Sequence, residues 1–303
     1  MAKVTVAVAT YNRAHLLSGL FSNILDQTYN DFDVVVVDDG STDDTAAVLA
    51  EYAKRDRINV HSHSRNRGVG AAKDKAVSLA TGDYIAFIDD DDRWLPLKLE
   101  RQVEYFESLS DKYAVVHSGM KHFGDGGKVR TDPVAQTGDI FPEILSQNEI
   151  GFSSTMVRRE SIEEVGGFDP ELPRAVDWDL WIRLAKRYKF EGIDQVLVHR
   201  HVQEDSITAD PDHSITAREM IREKYRDTYQ KHPAAATQLA KDIAEQRAFE
   251  ALQAGDRLEA LRYRLRALRL GGLSLKSIGR LGLSILGPQG YRLGKTLYHR
   301  LRR

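Results

Sequence analysis

Four consecutive carboxylates, Asp89-Asp90-Asp91-Asp92, follow the apolar run Tyr84–Ile88. At the end of a buried strand such groups repel one another, and without a counter-ion at least one must have a raised pKa. A divalent cation removes that cost. Oxygen-only ligands favour a hard ion, Mg²⁺ or Mn²⁺, which uses one or two carboxylates and completes its shell with water and phosphate oxygens. A calcium loop starting at Asp89 would place Glu100 correctly at its last position. However, Trp94 stands where the loop needs glycine and the cation Arg93 precedes it, so the spacing excludes that motif. An exposed acidic turn is the competing reading, and the buried flanks Ile88 and Trp94-Leu95-Pro96 favour the metal.

A second acidic pair, Asp38-Asp39, leaves the β-branched run Val34–Val37 and leads into Gly40-Ser41. Asp39 is suited to accept from a ribose hydroxyl or a base N–H, and Ser41 to cap the next helix. The stretch Asn66-Arg67-Gly68-Val69-Gly70-Ala71-Ala72-Lys73 lacks the third glycine of a dinucleotide fingerprint and the spacing of a P-loop. Its cations Arg67 and Lys73 can offset phosphate charge, although a plain helix start explains Arg67 equally well. Asp177-Trp178-Asp179-Leu180-Trp181 opens a helix on which Asp177 and Asp179 occupy different faces. One can serve as a general base while the other caps the helix or binds an acceptor; capping and dipole complementarity alone would also account for both. His199 and His201 share one face of a strand, suited to polar packing or to a phosphate or metal.

These residues need a scaffold, and the sequence supplies an alternating one. Val4–Ala9, Val34–Val37, Ile58–His61 and Tyr84–Ile88 read as strands, the first a continuous apolar run of the kind buried on both faces. Between them lie helical patterns over Leu16–Leu25, the segment after Ser41, and Gly70–Leu79. This rhythm predicts an α/β fold with a mostly parallel sheet flanked by helices. The polar clusters Thr10-Tyr11-Asn12-Arg13, Asp38–Ser41 and Asp89–Asp92 all fall at strand C-termini, the edge where such sheets bind ligands. Further on, Leu97–Leu109 and Asp177–Tyr188 read as helices, and Ala114–Val116 and Phe152–Val157 as strands. The chain beyond Ala217 is mostly helical, with a helix–turn–helix over Ala248–Leu268 turning at Gly255-Asp256. The expected division is 1–215, 216–271 as a helical extension, and 272–303 as a basic tail.

The 303 residues are 42% apolar and 29% charged, which excludes disorder as a description of the whole chain. Zero cysteines exclude disulfides, thiolate metal sites and a thiol nucleophile. The net charge of -2 is unevenly spread: twelve Lys or Arg lie between Arg257 and Arg303 against the single acid Glu259, so the preceding chain is acidic. The apolar start Val4–Val8 is too short for a signal-peptide core, and no stretch reaches the ~20 apolar residues of a membrane span. The expected location is cytoplasmic. The tail's Leu273, Leu275, Ile278, Leu281, Leu283, Ile285 and Leu286, interleaved with Lys276, Arg280, Arg292 and Lys295, suit an interfacial helix on an anionic inner leaflet. Packing of the tail on the acidic body is the alternative. No nucleic-acid recognition motif accompanies the charge.

Taken together, Val8-Ala9-Thr10-Tyr11-Asn12-Arg13, Val37-Asp38-Asp39-Gly40-Ser41-Thr42-Asp43, Gly82-Asp83 through Asp92, Gly166-Gly167-Phe168-Asp169 and Asp177–Arg183 resemble glycosyltransferase family 2. Its members are inverting nucleotide-sugar transferases with a Rossmann-like GT-A fold. The motifs run in family order over roughly the first 205 residues. The resemblance implies that Ala9, Thr10, Tyr11, Arg13, Asp39, Lys73 and Asp90 contact the donor nucleotide. It also implies that Asp91 and Asp89 hold Mg²⁺ or Mn²⁺, that Asp177 is the catalytic base, and that Trp178 and Asp179 face the acceptor. Two departures stand out: Asp90 occupies a place where a small residue is common, and Val176 precedes Asp177 where the family often has an acid. The implied partners are a nucleotide sugar and a glycan or lipid-linked acceptor. A sugar nucleotidyltransferase and a non-catalytic nucleotide-sugar binder are the alternatives, although the former should carry a glycine-rich basic loop where Thr10–Arg13 stands.

Overall fold

A computed structural model describes residues 3–124, 129–134, 136–202 and 211–272, with the side chains of 124, 201–202 and 211–213 left out. The proposed membrane-binding tail lies, from residue 273 onward, outside the described residues, as does the side chain of His201. The chain divides into two compact units, one of residues 1–144 and 148–205, the other of 145–147 and 206–303.

The first unit is built on one sheet. Its strands are β1 (Val4–Thr10), β2 (Phe32–Asp38), β3 (Ile58–Ser62), β4 (Tyr84–Phe87), β5 (Asp92–Trp94), β6 (Tyr113–Gly124), β7 (Val129–Asp132), β8 (Met156–Arg158) and β9 (Lys189–Val202). They pair in the order β3-β2-β1-β4-β8-β6-β9-β5, with β7 on the side of β6. β1, β2, β3 and β4 are mutually parallel, as the apolar runs predict, and β6 runs parallel to β9. The pairs β4–β8, β6–β8, β6–β7 and β5–β9 are antiparallel. Helices α1 (Ala14–Leu25), α2 (Thr45–Tyr52) and α3 (Val69–Leu79) make the crossovers between the parallel strands. They are followed by α4 (Lys98–Ser108), α5 (Phe141–Ile144), α6 (Arg159–Glu164) and α7 (Val176–Ala185).

The core follows from this layering. Val4, Val6 and Val8 point to one face of β1 and pack with Leu17, Leu20, Phe21 and Ile24 of α1, all fully buried. That continuous apolar packing is the main favourable term holding the strand exits in register. Phe152–Val157 is expected as one strand, but only Met156–Arg158 pairs, and Phe152–Ser154 is a 3₁₀ turn. The reason is local: the Ser154 hydroxyl donates to the Gly151 carbonyl and that of Thr155 to Phe152, both at 2.7 Å, closing the backbone on itself. Buried Gln102 then fastens this turn to β6 by donating to the carbonyls of Ser154 (2.8 Å) and Val116 (2.9 Å).

The second unit contains α8 (Pro211–Lys224), α9 (Arg226–Lys231), α10 (Pro233–Gln253) and α11 (Arg257–Gly271). Along α10, Ala235, Leu239, Ile243, Ala244, Ala248 and Leu252 form one buried stripe at helical spacing. The expected turn is present: Gly255 takes φ 83°, and Asp256 caps α11 by accepting from the Glu259 N–H at 2.9 Å.

Candidate active site

The exits of β1 and β2 are sewn together by side chains. The Asn12 N–H donates to Ser41 Oγ at 2.8 Å, and the Thr42 N–H to Asn12 Oδ1 at 2.8 Å. The Arg13 N–H donates to Thr45 Oγ1 at 3.1 Å. Asn12 itself sits at φ 53°, a left-handed conformation that asparagine tolerates. Ser41 does not cap the following helix as expected. Its hydroxyl donates to Asp38 Oδ1 at 2.5 Å, and α2 starts only at Thr45. The Asp38 carboxylate, immediately upstream, captures the hydroxyl and turns Ser41 toward Asn12 instead.

Asp39 is buried. Its carboxylate accepts from the N–H of Arg67 (3.0 Å) and of Gly68 (2.8 Å), with His63 Nδ1 2.7 Å away. These contacts tie β2 to the start of α3. Gly40, at φ 74°, is required here because a Cβ would lie 2.4 Å from the Arg65 carbonyl carbon. Tyr11, by contrast, is 41% exposed beside this edge. Ala9 lies next to Val37 in the β1–β2 register.

The four adjacent carboxylates are not equivalent. The Asp92 N–H donates to the Asp89 carbonyl at 3.1 Å, closing a turn with Asp90 and Asp91 at its corners. Asp89 and Asp91 keep partial exposure, whereas Asp90 and Asp92 are buried. The Thr10 hydroxyl donates to Asp90 Oδ2 at 2.8 Å. Burial pushes the Asp90 carboxyl up to about 6, against the Thr10 bond and the Arg13 charge, with Asp91 and Asp89 adding to the rise. Asp92 is also raised, first by burial and then by Asp89, while Arg200 opposes. The raised carboxyls are the two buried members, with burial as the first cause and the crowded neighbours adding to it.

Asp89 faces Lys73. The Lys73 ammonium donates to Asp89 Oδ1 at 3.1 Å and lies 3.3 Å above the centre of the Phe152 ring. Ser153 supports the same turn by accepting from the Asp89 N–H at 2.9 Å. Lys73 is carried to this place by α3, which runs so close to the loop before α7 that a Cβ on Gly70 would lie 2.6 Å from the Asp169 carbonyl oxygen. Asp74, one residue on, accepts from the Phe168 N–H at 3.0 Å and secures the Gly166–Asp169 stretch against the same helix.

Asp177 stands in the first turn of α7, after Ala175 at φ 56°. Asn148 Nδ2 donates to Asp177 Oδ2 at 3.2 Å. Burial raises the Asp177 carboxyl; the Lys73 charge opposes that rise and Asp89 adds to it. Lys73, Asp89 and Asp177 thus share one electrostatic field. Trp178 and Asp179, expected to face an acceptor, are placed in the core. The Trp178 indole donates to the Ile144 carbonyl at 2.6 Å, and Asp179 is fully buried against Arg183 at 2.8 Å. A helical step of two residues turns Asp179 to the side opposite Asp177.

Arg200 escaped the sequence reading. It lies across the β5–β9 ladder from Asp92, with Nε 3.9 Å from Asp92 Oδ1; burial acts to lower its pKa, and the charges of Asp92, Asp89, Asp91 and Asp177 together outweigh that and raise it. A detectable signal was the run Val196-Leu197-Val198, a strand core whose polar exit is His199-Arg200-His201. His199 packs edge-on against Phe123 at 5.0 Å.

Among the described residues no group of three or more His, Asp or Glu side chains is arranged to hold a metal ion. The site nonetheless fits a hard cation that takes a minority of its ligands from protein. Asp89 and Asp91 offer partly exposed carboxylates, and Asp92 Oδ1 is buried without a hydrogen-bond partner.

Comparison with known proteins agrees with this architecture. The chain is 30% identical over 214 residues to the amylovoran biosynthesis glycosyltransferase AmsB of Erwinia amylovora, covering 65% of this chain and 69% of that one. It is 28% identical over 209 residues to an uncharacterized glycosyltransferase of Rickettsia bellii, covering 68% of this chain but only 30% of that longer protein. Among solved structures, S. aureus TarS 1-349 in complex with UDP superposes with a TM-score of 0.64 at 19% identity, over 98% of this chain and 91% of that one. The mannosyltransferase PcManGT of Pyrobaculum calidifontis, in complex with GDP-Man and Mn²⁺, gives 0.63 at 19% identity, over 97% and 83%. These superpositions show the GT-A fold expected of the sequence. The model of glycosyl transferase family 2 matches residues 5–166, more than half of the chain, and the protein belongs to that family.

Proposed function

We propose that this protein moves a sugar from a nucleotide-sugar donor to an acceptor hydroxyl with inversion at the anomeric carbon, in the synthesis of a cell-surface glycan. Family membership and the fold support glycosyl transfer over the nucleotidyltransferase and non-catalytic alternatives. The observation that carries the mechanism is the grouping of Asp177, Lys73 and Asp89, each on a different element, in one field.

In this reading Asp177 takes the proton from the acceptor hydroxyl as that oxygen attacks. A carboxylate raised above its ordinary range is a stronger base than a free one. The Asn148 amide orients it through the 3.2 Å contact. Lys73 offsets charge on the donor diphosphate, and Arg200 tempers the repulsion among the surrounding carboxylates. Ala9, Tyr11, Arg13 and Asp39 line the nucleoside side, while Thr10 and Asp90, bonded to each other, form its floor. Asp91 and Asp89 would hold Mg²⁺ or Mn²⁺, which when bound supplies positive charge to the departing diphosphate. The basic segment 272–303 is proposed to meet an anionic membrane; among the described residues no helix is long and apolar enough to cross one.

The test is nucleoside diphosphate release from a panel of nucleotide sugars, with and without acceptor hydroxyls, by the wild type and Asp177→Asn. Acceptor-dependent release that vanishes in the variant, while donor binding persists, is expected. Equal release by both proteins would remove Asp177 from its role.

A further inference from the structure

The helical unit contains a cavity of about 320 Å³ that the transfer chemistry leaves unused. Glu219 and Arg222 of α8, Arg247 of α10, and Tyr263 and Arg266 of α11 line it, over a floor of Ile243 and Ala244. Glu219 fixes one wall: the Arg247 guanidinium donates to its two carboxylate oxygens at 2.9 Å each, with Arg247 Nε at 3.3 Å. That pair is internally neutral. Among the described residues neither Arg222 nor Arg266 has an ion-pair partner, and the Tyr263 hydroxyl has no hydrogen bond. Three guanidiniums therefore face one carboxylate across a small polar space. Arg222 and Arg266 are exposed and screened by solvent, so their charge is available to an entering anion.

We propose that this cavity is an oxyanion site for a phosphate group carried on a small organic body. Arginine's planar fork matches phosphate oxygens with paired charge-assisted hydrogen bonds. Arg222 and Arg266 supply those forks, and the Tyr263 hydroxyl adds one donor. A phosphate dianion would match the charge of these two guanidiniums, of which Arg222 otherwise interacts, among the described residues, only through space with Glu223 and Tyr229. The cavity has the lower end of the volume range of small-molecule sites, enough for a phosphate and a few further heavy atoms. The site does not depend on glycosyl transfer, since none of its residues belongs to the sheet.

The experiment titrates the full chain with inorganic phosphate and with glycerol 1-phosphate at constant ionic strength, by calorimetry. The comparison is between wild type, Arg222→Gln/Arg266→Gln and Asp91→Asn. Both arginines are exposed, so the double variant should fold, and circular dichroism checks this. Expected are saturable binding by the wild type and by Asp91→Asn, and a dissociation constant weakened about tenfold or more in the double variant. Affinities equal in wild type and double variant would overturn the proposal, as would no saturable binding by the wild type. Phosphatidylcholine vesicles with and without phosphatidic acid separate the sources of the phosphate. Pelleting that the double variant loses assigns a lipid headgroup. Unchanged pelleting together with weakened glycerol 1-phosphate binding assigns a soluble phosphate carrier.

Discussion

The Thr10 hydroxyl, at the end of β1, donates to Asp90 Oδ2, at the end of β4, across 2.8 Å. This bond joins two strand exits that are eighty residues apart in sequence. It also holds down a carboxyl that burial otherwise lifts. Thr10→Val keeps the shape of the side chain and removes the donor. It should cost about 1–3 kcal/mol of stability, the usual penalty for a buried acceptor left without its partner. Urea unfolding at neutral pH would show the loss as a lower midpoint with an unchanged slope.

Asp177→Asn should lower the rate of transfer by about 10²–10⁴-fold, the range assigned to a positioned general base, with little change in donor KM. The pH profile adds a sharper check. The base acts only when ionised, so activity rises with pH through a carboxyl value lying above the ordinary one. Asn148→Ala removes a donor that favours the ionised form. Its acidic limb should therefore move to higher pH, with the plateau rate retained.

Lys73→Met takes a cation away from Asp89 without emptying the space over Phe152. Divalent cations should then bind more tightly, by about three- to tenfold, because the ammonium no longer competes for the carboxylate. Donor KM should rise at the same time, since the diphosphate loses a partner. Mn²⁺ titration followed by electron paramagnetic resonance, alongside initial rates, separates the two effects. A chelator should stop turnover of the wild type, and rates unaffected by EDTA would count against the cation.

Gly70→Ala forces a methyl group against the Asp169 carbonyl. Overpacking of this kind costs about 1–3 kcal/mol. The strain falls between α3 and the loop preceding α7, so kcat should drop together with the melting temperature. A variant with normal kcat would show that this close approach serves packing alone.

His117 predicts an acid-sensitive fold. Burial lowers its imidazole to about 4, against a 3.3 Å contact between Nε2 and the Gln136 carbonyl. The unfolded chain accepts this proton below about 6.5, where the folded one refuses it. Stability is therefore complete above that value and is lost as pH falls toward 4, by about 3 kcal/mol in total. His117→Gln should flatten that segment of the stability–pH curve.

The parallel half of the sheet was legible because its strands are continuous apolar runs between helical patterns, as in Val4–Ala9 and Val34–Val37. The same runs located the polar exits that carry Asp39, Asp89 and Asp91; Lys73 and Asp177 lie outside them, and the roles expected of all five came from the family resemblance. Strand β5 was not legible: its three residues Asp92-Arg93-Trp94 pair with β9, and their charges read as loop. Missing β5 meant missing Arg200, whose position depends on its ladder with β9. Trp178 and Asp179 were misread for a different reason. An aromatic and an acid beside a catalytic candidate look like contact residues, and only the tertiary placement of α7 sends them inward.

The turn closed between Asp89 and Asp92 gives four identical letters two different jobs. A one-residue deletion in this tract would leave its composition almost intact yet shift every later residue by one seat, delivering Arg93 to the place across from Arg200. Selection on such a tract acts on its reading frame in space, so its length should tolerate change far less than the identity of any surface aspartate elsewhere in the chain.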